Sequence, residues 1–157
     1  MLALNGTNAL GTQAAVDMGS AGYALQLVPG SSHTVTALSG TSTAARVVLP
    51  YGGANATLNI SGTSGTSSYS GYFSGVNVTK SGDSTQIFTG NRDSGAATYT
   101  VSGGVLALNK TADKDAVAGT VVGAVIRQAV RPGWHSCVGH QGPTSLRGPT
   151  DHEGRSR

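Results

Sequence analysis

Short apolar-polar alternations, each cut off by Gly, Ser or Asn before it can lengthen, are the feature that most restricts this chain. In Ala56–Ser61, residues Ala56, Leu58 and Ile60 share one face, and Thr57, Asn59 and Ser61 share the other. Tyr23, Leu25 and Leu27 alternate with Ala24 and Gln26, Val76 and Val78 flank Asn77, and Tyr99 and Val101 alternate with Thr98 and Thr100. A period of two marks a strand with one buried face. Further strands are expected in His33–Leu38, Ala45–Leu49, Gln86–Thr89 and Val105–Asn109. Before residue 110 no segment has a helical period, so the fold class is all-β.

Strands this short also suit a β-sandwich. Internal repetition separates the two architectures. Leu2-Ala3-Leu4-Asn5 returns as Leu106-Ala107-Leu108-Asn109. Asn8-Ala9-Leu10-Gly11-Thr12 parallels Asp115-Ala116-Val117-Ala118-Gly119-Thr120 with one residue inserted. A chain that begins inside one unit and re-enters the same phase is expected to be a segment of a parallel β-helix (β-solenoid). Each rung then pairs with the rungs above and below, roughly 4.8 Å away.

The composition agrees. Charged residues make up 11% of the chain, against about 25% in an average globular protein. Its apolar stock is mainly Ala, Val and Leu, with two Phe and one Trp. That stock predicts a thin core of small side chains, with Thr, Ser and Asn outside and Gly or Asn at the corners.

Residues 1–109 are electrically neutral: Arg46, Lys80 and Arg92 balance Asp17, Asp83 and Asp93. The net charge of +3 arises from 110–157, where the basic residues form no stripe and Trp134 is the only aromatic. Nucleic-acid binding is therefore not expected. One cysteine, Cys137, excludes an internal disulfide framework. The longest apolar stretch, Ala116–Ile126, is well short of the ~20 residues of a spanning helix. No basic leader precedes the first strand, so an export signal is expected to lie outside this sequence.

From Lys80 the pattern becomes specific. The run Lys80-Ser81-Gly82-Asp83-Ser84-Thr85-Gln86-Ile87-Phe88-Thr89-Gly90-Asn91, continuing through Ser94-Gly95 to Thr100-Val101-Ser102-Gly103-Gly104-Val105-Leu106, resembles the autotransporter-associated β-strand repeat. The match extends from Lys80 to Leu106. It departs from the family pattern at Ser84, where a second glycine is usual, at Asp93, where Tyr is usual, and by a short insertion in Ala96–Tyr99. The resemblance implies a right-handed parallel β-helix carried to a bacterial cell surface ahead of an outer-membrane translocator. Its partners would be glycans, a host or neighbouring cell surface, and neighbouring rungs of a parent chain.

The solenoid is expected over 1–119, with an irregular tail over 120–157. Three of the five Pro, three of the four His, and the only Trp and Cys fall within 127–157. Such a shift suits a disordered extension or a changed reading frame. His135, Cys137, His140 and His152 are the only cluster of soft ligands, and no scaffold around them favours a zinc site.

Catalytic constellations are sparse. Acid-base chemistry on sugars takes two facing carboxylates, and the body's three aspartates are not paired at strand spacing. A Ser-His-Asp arrangement through His33 is formally available, but a lone His among Ser and Thr reads as a surface residue. Lys80 with Asp83, and Arg92 with Asp93, read as local turn contacts. Sequons at Asn5, Asn55, Asn59, Asn77 and Asn109 follow from composition. No catalytic, cofactor-binding or metal residue is singled out and no cofactor is expected. The function expected is structural and adhesive, the alternatives being a β-helix carbohydrate-active enzyme or a truncated reading frame.

Overall fold

The computed structural model describes residues 1–50, 52–95, 98–117, 120–123 and 126–128. The described residues contain strands and no helix, wound as a parallel β-solenoid of about five turns. The first turn carries β1 (Leu2–Leu4) and β2 (Ala15–Asp17), and the second β3 (Ala24–Leu27), β4 (Ser32–Val35) and β5 (Ala37–Ser39). The third holds β6 (Arg46–Val48), β7 (Ala56–Ile60) and β8 (Thr66–Tyr69). In the fourth lie β9 (Tyr72–Ser74), β10 (Val76–Lys80) and β11 (Thr85–Phe88). The fifth has β12 (Tyr99–Val101) and β13 (Val105–Leu108), with β14 (Val121–Gly123) and β15 (Ile126–Gln128) stacked beyond.

These strands form three faces, every ladder parallel. The first face runs β1-β3-β6-β9 and the second β4-β7-β10-β12-β14. The third runs β8-β11-β13-β15, extended by the β2-β5 pair through a bridge between Gly40 and Tyr69. Along the second face Val35, Ile60, Lys80, Val101 and Gly123 are successive register partners, and their uneven spacing shows that the turns differ in length. β14 and β15 continue the second and third faces past residue 119. The rest of the expected tail, 129–157, lies outside the described residues.

The Leu-Ala-Leu-Asn recurrence does not mark the structural repeat. Leu2–Leu4 is a first-face strand with Leu2 51% exposed, whereas Leu106 sits buried in the third face. All three faces demand the same period-two pattern, so similar short strings can fall on different sides of the coil. The true repeat, one turn long, is visible only in the ladder partners.

Inward positions are largely legible in the alternation. Ala56, Leu58, Ile60, Val76, Val78, Tyr99 and Val101 are all buried as it requires. Tyr23 is a correction: it is 58% exposed, because β3 starts one residue later and the Tyr23 N–H bonds Ala21 O in the preceding corner. The interior also differs from the thin, small-residue core expected. Early turns pack Leu, Val and Ala, but later turns enclose Tyr69, Phe73, Phe88 and Tyr99. Phe73 lies at their centre, its ring centroid 5.5 Å from Tyr69, 4.9 Å from Phe88 and 6.2 Å from Tyr99. Four of the aromatic residues thus meet at inward positions of consecutive turns.

The corner between the second and third faces shows why glycine recurs. Gly82 and Gly104 have φ of +65° and +63°, the left-handed region that L side chains rarely adopt. A Cβ on Gly82 would strike the Gly62 carbonyl one turn below, and one on Gly104 would strike the Gly82 carbonyl. Backbone rungs can stack this closely only without side chains.

Candidate functional site

Two columns of polar side chains cover the outside of the second face. Ser32, Thr57, Asn77, Thr98 and Thr120 form one, and Thr34, Asn59, Thr79 and Thr100 the other, with Val122 extending the second. Alternation places them outward because His33, Leu58, Val78 and Tyr99 between the columns point in. Successive members are roughly 4.8 Å apart along the axis and the columns roughly 6.6 Å apart along the strands. Some are cross-linked: Asn59 Nδ2 donates to Ser32 Oγ at 3.1 Å, and Asn77 Oδ1 accepts from the Thr98 N–H at 3.1 Å. Threonine is also stiff at χ1. No charged side chain interrupts the array among the described residues.

Asn59 and Asn77 of the expected sequons belong to this array. Asn55 is exposed beside it, its Nδ2 3.5 Å from Asn77 Oδ1, and Asn5 and Asn109 are exposed elsewhere.

His33 overturns the surface reading. It is 1% exposed and stacks inward on Leu58. Its Nε2 lies 3.0 Å from Ser31 Oγ, which itself donates to Val28 O at 2.7 Å. The Ser31 hydroxyl proton is therefore committed, and Nε2 must be the donor to Ser31. A histidine acting as base would accept from the serine instead. His33 Nδ1 is buried without a partner, so no carboxylate completes a triad at this pair. Burial lowers the His33 pKa.

Nor are the other two expected contacts local turns. Lys80 is fully buried between Ile60 and Val101 in the ladder, and its ammonium donates to the carbonyls of Ser81 and Gly82 inside the corner. Its pKa is lowered by burial, which Asp83 opposes. Asp93 turns away from Arg92: its carboxylate accepts from the Asp115 N–H at 2.9 Å and pairs with Lys114 at 3.5 Å. The Asp115 N–H is the main cause of the lowered Asp93 pKa. Arg92 instead lies over the Tyr72 ring, 5.6 Å from its centroid.

Two buried polar groups escaped the sequence reading. Gln86 reaches inward past Ser67, its register partner, to Leu38 two strands away. There its Nε2 donates to Leu38 O at 2.9 Å, and its Oε1 accepts from the Leu38 N–H at 3.3 Å. Lys110 Nζ donates to Gly71 O at 2.9 Å. A signal was present in both cases: Gln86 has the parity of Phe88, and Lys110 that of Leu106 and Leu108. Strand parity outranked side-chain polarity.

These buried groups set a pH dependence. Burial lowers Lys110 to about 8, pushes Tyr99 up to about 12 and raises Tyr69. Between pH 8 and the ordinary lysine value the unfolded chain binds more protons than the folded one, so stability rises with pH. Above pH 10 unfolded tyrosines release protons that the folded ones retain, and stability falls. On the acid side, burial lowers the His33 pKa, so the unfolded chain takes up a proton there more readily than the folded one. The melting temperature is therefore expected to climb from pH 5 to a maximum between about pH 9 and 10, then drop. Lys110→Met should reduce the rise above pH 8, leaving the part due to Lys80, and should leave the acid limb unchanged. A flat profile in wild type would refute this assignment.

Among the described residues, no group of three His, Cys, Asp or Glu is placed to hold a metal. His135, Cys137, His140 and His152 lie outside them. No described helix is long and apolar enough to cross a membrane. The fold and its outer array place the chain in the class of parallel β-solenoids. No family model, curated protein or solved structure matches it.

Proposed function

We propose that this chain is a structural and adhesive segment of a surface-exposed, autotransporter-like bacterial passenger, without catalytic activity, and that it engages glycans. The observation that carries this reading is the uncharged second face. Its nine Ser, Thr and Asn side chains stand in register over five rungs. A stiff backbone holds them in place before any ligand arrives, which limits the entropy lost on binding. Hydroxyl and amide groups at regular intervals suit a polymer that is itself periodic and rich in hydroxyls. The resemblance of Lys80–Leu106 to a passenger repeat supports export to the cell surface. Single contacts of this kind are weak, each worth about 0.5–1.5 kcal/mol, so retention would come from many of them together.

The test is retention of the full chain on neutral polysaccharide beads. Thr79→Ala combined with Thr100→Ala should weaken retention roughly tenfold, from two lost hydrogen bonds. The melting curve should barely change, because both side chains lie outside the core. Equal retention by the double variant and wild type would remove the second face from the function. Wild-type protein that ignores every glycan tested would defeat the adhesive reading itself.

A further inference from the structure

Charge is distributed unevenly around the coil. The outside of the second face carries none, whereas Arg46, Arg92, Asp93, Lys114 and Asp115 gather on the outside of the first face in the later turns. Arg46 and Tyr72 are register partners on adjacent rungs. The Gly95 N–H bonds Phe73 O and the Ser94 N–H bonds Asp115 O, so Asp93 and Asp115 follow in order beyond Tyr72. Between these rungs lies an open groove of about 290 Å³ lined by Tyr72, Asn91, Arg92, Asp93 and Lys114. That volume is close to the lower end of the roughly 300–1,000 Å³ typical of small-molecule sites.

The groups in this groove are not equivalent. Asp93 spends one carboxylate oxygen on the Asp115 N–H and the other on Lys114. Arg92 is held over the Tyr72 ring, and among the described residues neither Arg92 nor Arg46 has a carboxylate partner. A guanidinium steadied by an aromatic ring keeps its planar fork of donors free for a carboxylate or sulfate. Asn91 adds an amide that can both donate to and accept from sugar hydroxyls.

We propose that this groove binds an acidic sugar, a uronic acid residue of a polysaccharide, with Arg92 gripping its carboxylate and Asn91 the neighbouring hydroxyls. Arg46, one rung below Tyr72, supplies a second positive charge toward the same group. The proposal rests on the adhesive reading and sharpens it. The second face would give weak, extended contact with any hydroxyl-rich polymer, while the first-face groove selects for negative charge.

The experiment compares the full-length wild type, Arg92→Gln and Arg46→Gln on immobilised polygalacturonate and on neutral dextran. Arg92→Gln should bind polygalacturonate about tenfold more weakly, the cost of one charge-assisted hydrogen bond. Arg46→Gln should lose less. Retention on dextran should stay as in wild type for both, and so should the thermal melt, since both side chains are exposed. Basic residues in 129–157 are common to all three chains, so the differences report the groove. Free galacturonate should compete, and sodium sulfate at matched ionic strength should not. Equal binding of Arg92→Gln and wild type to polygalacturonate would overturn the proposal. Displacement by sulfate as effective as by galacturonate would also overturn it, leaving a general anion patch. Failure on polygalacturonate with dextran retention intact would sink the groove alone, whereas loss of both would remove the adhesive function as well.

Discussion

Phe73→Ala is expected to destabilise the solenoid by about 3–5 kcal/mol, the usual cost of emptying a buried phenylalanine site. Phe73 is completely buried and touches three other aromatic rings, and together the four belong to strands of all three faces. Removing it leaves a void that the neighbours cannot close, because each ring is tied to its own rung by ladder hydrogen bonds. Tyr99 makes the loss worse. Its ring packs edge-on against both Phe73 and Phe88, so emptying the Phe73 site also removes one side of the Tyr99 packing. Nearest-neighbour coupling is what keeps a solenoid together, and a defect in a middle turn weakens its junctions on both sides. Urea denaturation followed by circular dichroism is the measurement. Phe73→Leu should recover much of the loss. A Phe73→Ala midpoint within error of wild type would mean that the aromatic cluster does not hold these turns.

Gln86→Met should cost about 1–3 kcal/mol for each of the two buried backbone groups it leaves without a partner, with almost no change in side-chain volume. Those groups are the N–H and the carbonyl of Leu38, both satisfied by the Gln86 amide. β5 and β8 meet only at the Gly40–Tyr69 bridge, so the strand that would ordinarily pair with Leu38 is not there to do so. The Gln86 side chain stands in for that missing piece of ladder. A hydrophobic replacement of equal size should therefore be harmful where simple hydrophobicity would forecast a gain. Native-state hydrogen exchange provides the sharper measurement: the Leu38 amide should lose protection far more than the Ile60 amide in a neighbouring ladder. A stability change within about 0.5 kcal/mol, the range of ordinary surface substitutions, would show that Leu38 finds another partner.

Both predictions concern residues whose role is only half visible in the chain. The strands around Leu58, Val78, Phe88 and Val101 can be placed from alternation, because each carries apolar residues at every second position. His33, Lys80, Gln86 and Lys110 share that parity, yet their polarity argues for the surface. Burial of these four is decided by the backbone: once a strand's apolar members turn inward, a polar residue of the same parity must go with them. Whether it is tolerated depends on carbonyls or amides from other turns, such as Gly71 for Lys110 and Leu38 for Gln86. Those partners lie 39 and 48 residues away along the chain, and no local pattern announces them.

The candidate surfaces divide in the same manner. The Ser, Thr and Asn residues of the second face are recognisable as outward positions, one strand at a time. That they align into two columns depends on turns of unequal length, which only the register partners reveal. Along the chain, Lys80 with Asp83 and Arg92 with Asp93 look like two separate turn contacts. Stacking places Lys80 in the core and pairs Asp93 with Lys114 instead, leaving Arg92 over Tyr72.

The sequence by itself determined the all-β class and most inward positions, because strand parity and glycine corners are local properties; the solenoid, expected from a recurrence that is not the structural repeat, is established by the parallel ladders. Only the tertiary structure decided which turn lies beside which, which polar groups are buried, and where the exposed charges meet. Those outcomes depend on contacts about one turn or more apart, and the irregular length of each turn erases that period from the sequence.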